Sequence, residues 1–386
     1  MLSSARRIRV SQNSLSLRDL LALVESGVYW WQQRLKDAEG VNRERAAAAI
    51  KDLSRILDSL SQQLAQGRET VRITTRLPTT RIYAAPCAAC GRGNRAGAKF
   101  CLACGALLSI DSAVSRSITA VQLKVAVRSD VGMVRQRNED MCYAGQITTS
   151  GRVLATLLLV ADGMGGEQAG DEASRLATET VKQELVKALQ DTQPTSDEEW
   201  QSLLRQVVLL VNRRVYAYAR ANRSKRGMGT TLTVVAAAGN RAHLAHVGDS
   251  RAYLVNVQGV SEDGALLMQL TTDHSLVARL VDIGQLTSEQ ARSHPHRNML
   301  YRAIGTDPAI DVDTSSQPIE AGDVLLLCSD GLTGHVEDAE LTRIALATPN
   351  PETVCGQLVR LANSRGGRDN ISVVVAKVLA HSGTSG

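Results

Sequence analysis

The apolar positions divide the chain into a front part with helical spacing and a longer part with short strand-like runs. In the front part, apolar residues recur at three- and four-residue steps over 17–35 and again over 42–66, with Gly40 between the two stretches. This spacing predicts an antiparallel helical hairpin within residues 1–70. A two-helix hairpin buries little apolar surface, so we expect it to bind a partner or to self-associate. The alternative is that it packs only on its own chain.

From about residue 121 the pattern changes to short β-rich runs interrupted by helical stretches. The runs are Leu123–Arg128, Met141–Ile147, Val153–Ala161, Thr230–Ala238, Arg241–Val247, Arg251–Val257, Val324–Ser329 and Ile371–Leu379. The predicted helices are Ala169–Leu189, Glu198–Ala221, 274–283 and 351–364. Strands follow one another in hairpin-like succession, which predicts one α+β domain over 121–380 with antiparallel sheets rather than a doubly wound parallel sheet.

Four cysteines form two tight pairs between two polar, linker-like segments at 71–86 and 109–120. They are Cys87, Cys90, Cys101 and Cys104, and a glycine follows each pair. Two such turns supply four thiolates in the tetrahedral arrangement that Zn²⁺ prefers. The sequence therefore predicts a small zinc ribbon over 87–108. Its zinc is expected to be structural, because cysteines fill all four ligand positions.

Composition and charge exclude several classes of protein. Apolar residues make up 44% of the 386 and charged residues 22%, a globular balance. The longest strongly apolar run, Val153–Ala161, has nine residues, far below the ~20 that span a bilayer. Residues 1–120 hold 18 Lys and Arg against 9 Asp and Glu, which suits an acidic partner. Nucleic acid is disfavoured because aromatic residues are only 3% of the chain.

Three further cysteines are isolated along the chain. They are Cys142, Cys328 and Cys355. An odd total of seven with two tight pairs does not indicate a disulfide framework. It indicates a metal site plus free thiols in a reducing compartment, and hence a cytoplasmic protein.

Acidic residues recur where the predicted strands of the long domain begin or end. They are Glu139, Asp140, Asp162 beside Gly163, Asp249, Asp330 and Asp369. Strand ends can converge at one rim of the sheets, where clustered carboxylates repel one another unless cations hold them. Oxygen ligands without histidine favour Mg²⁺ or Mn²⁺. A single Asp-Gly pair is an ordinary turn, so the recurrence carries this prediction.

The chain resembles the PPM-type (protein phosphatase 2C-like) metal-dependent Ser/Thr protein phosphatases, in their bacterial style. The resemblance covers about 121–379 and rests on these segments in order: SDVGMVRQRNED, DGMGG, MGTT, GDSR, TTDHS, HPHRNMLYRAIG, SDGL and RDN. It implies two antiparallel sheets sandwiched between helix pairs, with a two-metal centre at one end. It also implies hydrolysis of phosphoserine and phosphothreonine on proteins by a metal-bridged hydroxide, in signalling opposite a Ser/Thr kinase.

The resemblance implies a ligand set for two Mn²⁺ or Mg²⁺ ions. Asp162 would bridge the ions, and the carbonyl of Gly163 would bind one of them. Asp330 and Asp369 would hold the other. Asp249 matches a position that helps to hold a third, weaker ion in bacterial relatives.

Further roles follow from the same resemblance. Glu139 and Asp140 would orient metal-bound waters, and Arg135 would clamp the phosphate oxygens. The segment 275–299 would form a flap beside the site. A second group, Thr230 and Thr231, is expected to be structural and to pack the strand under the site.

The general acid for the leaving group stays open. Some family members have histidine directly after the metal-binding Asp-Gly, where this chain has Met164. Metal-bound water is the first choice, and the alternatives are His274, His294 and His296. Two other functions also stay open: a catalytically silent scaffold that binds phosphoproteins, and a small-molecule phosphoesterase of the same fold.

Overall fold

The computed structural model describes residues 121–165, 169–256 and 266–380, together with short separate stretches between residues 14 and 94. Its contacts divide the chain into two units, 1–117 with 277–297, and 118–276 with 298–386. Over the described ranges, no helix combines the length and the apolar character needed to cross a membrane.

The first unit contains two short antiparallel strand pairs. Ser14–Ser16 pairs with Thr70–Arg72, and Ala85–Pro86 pairs with Gly93–Asn94. The described residues between 50 and 65 are helical, within the second helix that the apolar spacing predicts. The first predicted helix and the four paired cysteines lie outside the described residues.

The second unit is a sandwich of two antiparallel sheets. Its described strands are β1 (Gln122–Asp130), β2 (Asp140–Thr149), β3 (Arg152–Met164), β4 (Gly229–Thr230), β5 (Leu232–Ala238), β6 (Arg241–Val247), β7 (Arg251–Asn256), β8 (Leu266–Gln269), β9 (Asp313–Pro318), β10 (Val324–Cys328) and β11 (Ile371–Leu379). One sheet has the order β9-β6-β5-β3-β2, with β4 paired to the end of β3. The other has the order β8-β7-β10-β11-β1.

The described helices of the chain are α1 (Ala169–Asp191), α2 (Asp197–Ala221), α3 (Leu276–Asp282), α4 (Ser288–Ser293), α5 (Asp330–Thr333), α6 (Asp338–Ala347) and α7 (Pro351–Ser364), with a 3₁₀ turn at Arg223–Lys225. Apart from Leu276, α3 and α4 belong to the segment 277–297 of the first unit. Caps fix several of these starts. The Ser196 hydroxyl accepts a hydrogen bond from Glu199 N–H at α2, and Asn350 does the same for Glu352 N–H at α7, where Pro351 is the first residue.

Apolar side chains form three layers of core. Leu158, Val235 and Leu327 belong to the cluster between the two sheets. A second cluster joins the outer face of the β3 sheet to α1 and α2, and a third joins the other sheet to α6 and α7. The layer order is thus helix, sheet, sheet, helix, which confirms the predicted α+β sandwich for this domain.

The predicted strand Thr230–Ala238 is interrupted in the structure. Thr231 separates β4 from β5, and its N–H donates to the carbonyl of Asp162 at 2.8 Å. The apolar pattern resumes directly after this break, where Leu232 and Val234 are both buried on the same face of β5. Because of the interruption, the N–H of Thr231 is available to the carbonyl of Asp162 at the rim of the sheet.

Candidate active site

The acidic residues predicted as ligands lie at one end of the sandwich. Asp140, the first residue of β2, is directly opposite Asp162 near the end of β3. In the other sheet, Cys328 at the end of β10 pairs with Val373 near the start of β11. The segments that carry Asp330 and Asp369 therefore leave and enter this sheet at the same end.

A hydrogen bond joins the two sheets at this rim. The Ser329 hydroxyl donates to Asp140 Oδ2 at 2.7 Å, and Ser372 N–H donates to Ser329 Oγ at 3.0 Å. The other oxygen of Asp140, Oδ1, is buried and has no hydrogen-bond partner. An orphaned buried carboxylate oxygen is a group that a cation or a water would satisfy.

The backbone of Asp162 is held by two threonines. Its N–H donates to Thr231 Oγ1 at 2.9 Å, and its carbonyl accepts from Thr230 Oγ1 at 2.8 Å. Thr231 Oγ1 also lies 2.7 Å from the hydroxyl of Ser250. These contacts agree with the structural role expected of both threonines.

Gly163 occupies a position where only glycine fits. A Cβ there would lie 2.2 Å from the carbonyl oxygen of Gly170 and 2.5 Å from that of Glu139. Gly163 N–H donates to the Glu139 carbonyl at 3.1 Å, and the Ser174 hydroxyl donates to the same carbonyl at 2.6 Å. The start of α1 and the end of β3 are thus packed closely around Glu139.

Burial and mutual repulsion raise the pKa of the clustered carboxylates. Burial raises the pKa of Asp140 to about 7, hydrogen bonds from Ser329 and Ser372 oppose the rise, and the charges of Asp330 and Asp369 reinforce it. A carboxyl in this setting favours its neutral form unless a positive charge lies nearby.

Asp162 and Asp249 show the same effect. The pKa of Asp162 lies well above its ordinary value because of burial and the charges of Asp140 and Asp330. Burial followed by the charge of Asp330 likewise raises the pKa of Asp249. Asp249 therefore belongs to the same electrostatic cluster, although the β6–β7 turn that carries it is remote in sequence from the other acids.

Arg135 is a positive group beside this cluster. Its Nη2 donates to Asp369 Oδ2 at 2.7 Å. Burial lowers the pKa of Arg135, but the hydrogen bond to Asp369 and the charges of Asp369, Glu139 and Asp162 outweigh it, so the pKa is raised. The guanidinium remains half exposed and can reach a ligand from solvent.

The donor set fits hard divalent cations. Within the described ranges, no three His, Cys, Asp or Glu side chains are closed around a single metal position. Asp140 and Asp162 are instead cross-strand neighbours with raised pKa values, and Asp140 has a buried oxygen without a partner. Oxygen donors of this kind suit Mn²⁺ or Mg²⁺, whose charge would favour the ionised form of each acid.

Both ring nitrogens of His274 are engaged in hydrogen bonds. Nδ1 accepts from Gly248 N–H at 3.0 Å, and Nε2 lies 3.1 Å from Asp313 Oδ2. This pairing favours a structural role for His274 over that of general acid. His294 and His296 lie in the unit that contains 277–297, where His296 N–H donates to His294 Nδ1 at 3.2 Å. Their predicted role stays untested.

Asn370 is a site residue that the sequence analysis did not single out. Its Oδ1 accepts from Glu139 N–H at 2.8 Å, and its Nδ2 donates to the carbonyls of Val131 and Arg137 at 2.9 and 2.8 Å. It therefore fastens both ends of the loop that carries Arg135. The RDN segment contained this residue, but its partners lie more than 230 residues away in sequence.

Comparisons with known proteins agree with this geometry. The family model described as protein phosphatase 2C matches residues 134–354. The serine/threonine phosphatase stp of Listeria monocytogenes is 36% identical over 250 residues, which are 65% of this chain and 94% of that protein. The serine/threonine protein phosphatase PstP of Mycobacterium tuberculosis is 40% identical over 257 residues, which are 67% of this chain and 45% of that protein.

Solved structures show the same architecture. The catalytic domain of PstP in complex with two manganese ions is 37% identical and superimposes with a TM-score of 0.57, covering 68% of this chain and 100% of that one. A serine/threonine phosphatase from Streptococcus agalactiae (S. agalactiae) is 32% identical with a TM-score of 0.59, covering 66% of this chain and 99% of that one.

Proposed function

Because the chain belongs to the protein phosphatase 2C family, we propose that it hydrolyses phosphoserine and phosphothreonine in proteins at a dinuclear Mn²⁺ or Mg²⁺ centre. The observation that carries this proposal is the convergence of Asp140, Asp162 and Asp369 at one rim, with the half-exposed Arg135 beside them. The manganese-bound PstP structure supports the choice of metal.

Different residues of the site would bind the metal ions and the phosphate. Asp162, the carbonyl of Gly163, Asp330 and Asp369 would hold the two ions. When bound, such ions activate water and neutralise phosphate charge. Arg135 binds the phosphate oxygens through its planar guanidinium. This group can donate to two oxygens at once, whereas a lysine ammonium group cannot do so in the same plane.

Glu139 and Asp140 would not bind the ions directly but would orient metal-bound waters. The Ser329 hydrogen bond occupies Asp140 Oδ2 and leaves the buried Oδ1 able to accept from a water. Asn370 and Ser174 fix the backbone of Glu139. These contacts fix acceptors for water at the rim that also carries Arg135.

A silent phosphoprotein-binding scaffold is disfavoured, because every acidic residue of the implied ligand set is present in the sequence. A small-molecule phosphoesterase of the same fold is the remaining alternative. The deciding experiment compares a phosphopeptide with nucleotides as substrates of the full chain, with Mn²⁺ and with chelator. Preference for the phosphopeptide, dependence on the metal and loss of turnover in Asp162→Asn support the proposal. Faster turnover of nucleotides would favour the alternative.

Several finer features belong to the same proposal. We propose a third, weaker ion at Asp249, whose pKa responds to Asp330. We also propose a structural zinc in the ribbon, where the paired segments Ala85–Pro86 and Gly93–Asn94 precede and follow the first cysteine pair in sequence. The basic front part is proposed to bind a partner or a second copy, and the enzyme to oppose a Ser/Thr kinase in the cytoplasm.

A further inference from the structure

The loop that leads to Arg135 exposes two large apolar side chains. Met133 is 68% exposed and Val134 is 65% exposed. Among the described residues, the next most exposed large apolar side chain is Val153 at 47%. Two neighbouring apolar side chains this exposed, directly before a phosphate-binding arginine, need an explanation beyond ordinary surface composition.

The backbone of this loop is fixed in place. Met133 N–H donates to the Gly367 carbonyl at 2.7 Å, and Asn370 Nδ2 donates to the carbonyls at both ends of the loop. Gly132 has a φ of +81°, and a Cβ there would lie 2.2 Å from the Asp369 carbonyl oxygen. These contacts fix the backbone of the loop on which Met133 and Val134 are exposed.

The charges around the loop suit a phosphorylated peptide. Residues 131–138 contain Arg135 and Arg137 and no acid, and Arg368 is exposed on the neighbouring segment. Val134 is adjacent to Arg135, and Met133 is two residues away, a span of at most about 7 Å along an extended chain. A phosphopeptide whose phosphate binds Arg135 would therefore place the residues next to its phosphoresidue close to Met133 and Val134.

We propose that Met133 and Val134 form a specificity surface that contacts an apolar side chain one or two positions from the phosphorylated residue of the substrate. This inference rests on the proposed function and names its preferred substrates. The surface is only two side chains wide, whereas a stable protein interface buries about 1,000 Å² or more. One peptide side chain therefore fits it better than a second copy of the chain.

The test uses the full chain with Mn²⁺ and phosphopeptides that are identical except for Leu or Gln beside the phosphoresidue, once on its amino side and once on its carboxyl side. A small aryl phosphate serves as a substrate without neighbours. The wild-type kcat/KM is expected to be about tenfold higher for Leu than for Gln on one of the two sides, which corresponds to about 1.4 kcal/mol.

The variants Met133→Gln and Val134→Thr keep size and remove apolar surface. Together they should reduce the Leu preference to less than twofold and leave the Gln peptides and the aryl phosphate within twofold of wild type. The matched control is Val153→Thr, an exposed valine at the opposite end of β3 from Asp162, which should keep the full Leu preference.

Two results would overturn the inference. One is a wild-type enzyme with no preference between Leu and Gln on either side. The other is an equal loss on all substrates in the double variant, which would show a purely structural role. Failure of the proposed function looks different: the wild type would then turn over the aryl phosphate but none of the phosphopeptides.

Discussion

The guanidinium of Arg135 lies 2.7 Å from the carboxylate of Asp369, although 234 residues separate them in sequence. The contact links the loop that would bind phosphate to a residue that would bind metal. The pair is partly exposed, with side-chain exposures of 49% and 27%, so its direct contribution to folding stability is small. Its value lies in holding the guanidinium at the rim where substrate and ions meet.

Replacing Arg135 by alanine should lower kcat/KM for a phosphopeptide by roughly 10- to 150-fold, mainly through KM. A charge-assisted bidentate contact contributes on the order of 1.5–3 kcal/mol, and this variant removes it. Arg135→Lys should recover only part of the loss, because an ammonium group cannot pair with two oxygens in the same plane. Steady-state kinetics with saturating Mn²⁺ provide the measurement.

The control for this prediction is Arg152→Ala, an exposed arginine at the start of β3. It removes the same charge at the end of the strand remote from Asp162 and should leave the kinetics unchanged. Metal affinity of Arg135→Ala should stay close to wild type, since the arginine is not a ligand. Unaltered peptide kinetics in Arg135→Ala would refute the phosphate-binding role.

The metal-free protein should lose stability as the pH rises from about 4 to about 7. Burial raises the pKa of Asp140 to about 7, whereas an unfolded aspartate titrates near 3.9. The folded state therefore binds the proton more tightly, and this stabilisation is complete below about pH 4 and lost as the pH passes through 7. Thermal unfolding in chelator at several pH values measures the effect.

Adding Mn²⁺ should remove this pH dependence near neutrality, because the ionised carboxylates then face a cation. Asp140→Asn should flatten the slope in chelator, while Asp311→Asn, at an exposed position, should leave it as in the wild type. A metal-free protein whose midpoint of unfolding is constant from pH 4 to pH 7 would contradict the electrostatic account of this cluster.

The strands that carry the site were predictable because their apolar runs are nearly continuous. Arg241–Val247 and Ile371–Leu379 have the predicted bounds. The strand β9 was missed, because its sequence DTSSQP is polar and it pairs with β6 at the sheet edge. Its strand character comes from that tertiary pairing, which local propensity does not encode.

The site shows a similar division between local and tertiary information. The acids were identifiable because each stands at a strand end. The roles of Asn370 and Ser329 were not, because each depends on contacts with partners 189 to 239 residues away. Such partners become neighbours only when the two sheets pack together.

Gly163→Ala should abolish most of the activity and destabilise the fold. The added Cβ would lie 2.2 Å from the Gly170 carbonyl oxygen, so β3 and the start of α1 must separate and shift Asp162. Thermal unfolding and turnover of an aryl phosphate measure the two effects. The expected loss of stability is about 2 kcal/mol or more, in the range of overpacked core sites.

The control is Gly356→Ala in α7, where the nearest atom to the new Cβ is the end of the flexible Arg360 side chain at 3.2 Å. Glycine within a helix is about 0.5–1 kcal/mol less favourable than alanine, so this variant should be neutral or slightly stabilising. Normal activity in Gly163→Ala would show that the backbone at this position can relax without displacing Asp162.

The purified full chain should contain one tightly bound zinc in addition to the catalytic ions. Four thiolates bind Zn²⁺ much more strongly than carboxylates bind Mn²⁺ or Mg²⁺, so mild chelation should remove the catalytic ions and leave the zinc. Elemental analysis before and after chelation measures the zinc and the catalytic ions.

Cys101→Ser should lose the zinc but still turn over an aryl phosphate when Mn²⁺ is supplied. The control Cys142→Ser, which changes a free thiol, should keep the zinc. Absence of zinc from the wild-type chain would refute the ribbon, and loss of aryl phosphate turnover in Cys101→Ser would show that the catalytic domain depends on it.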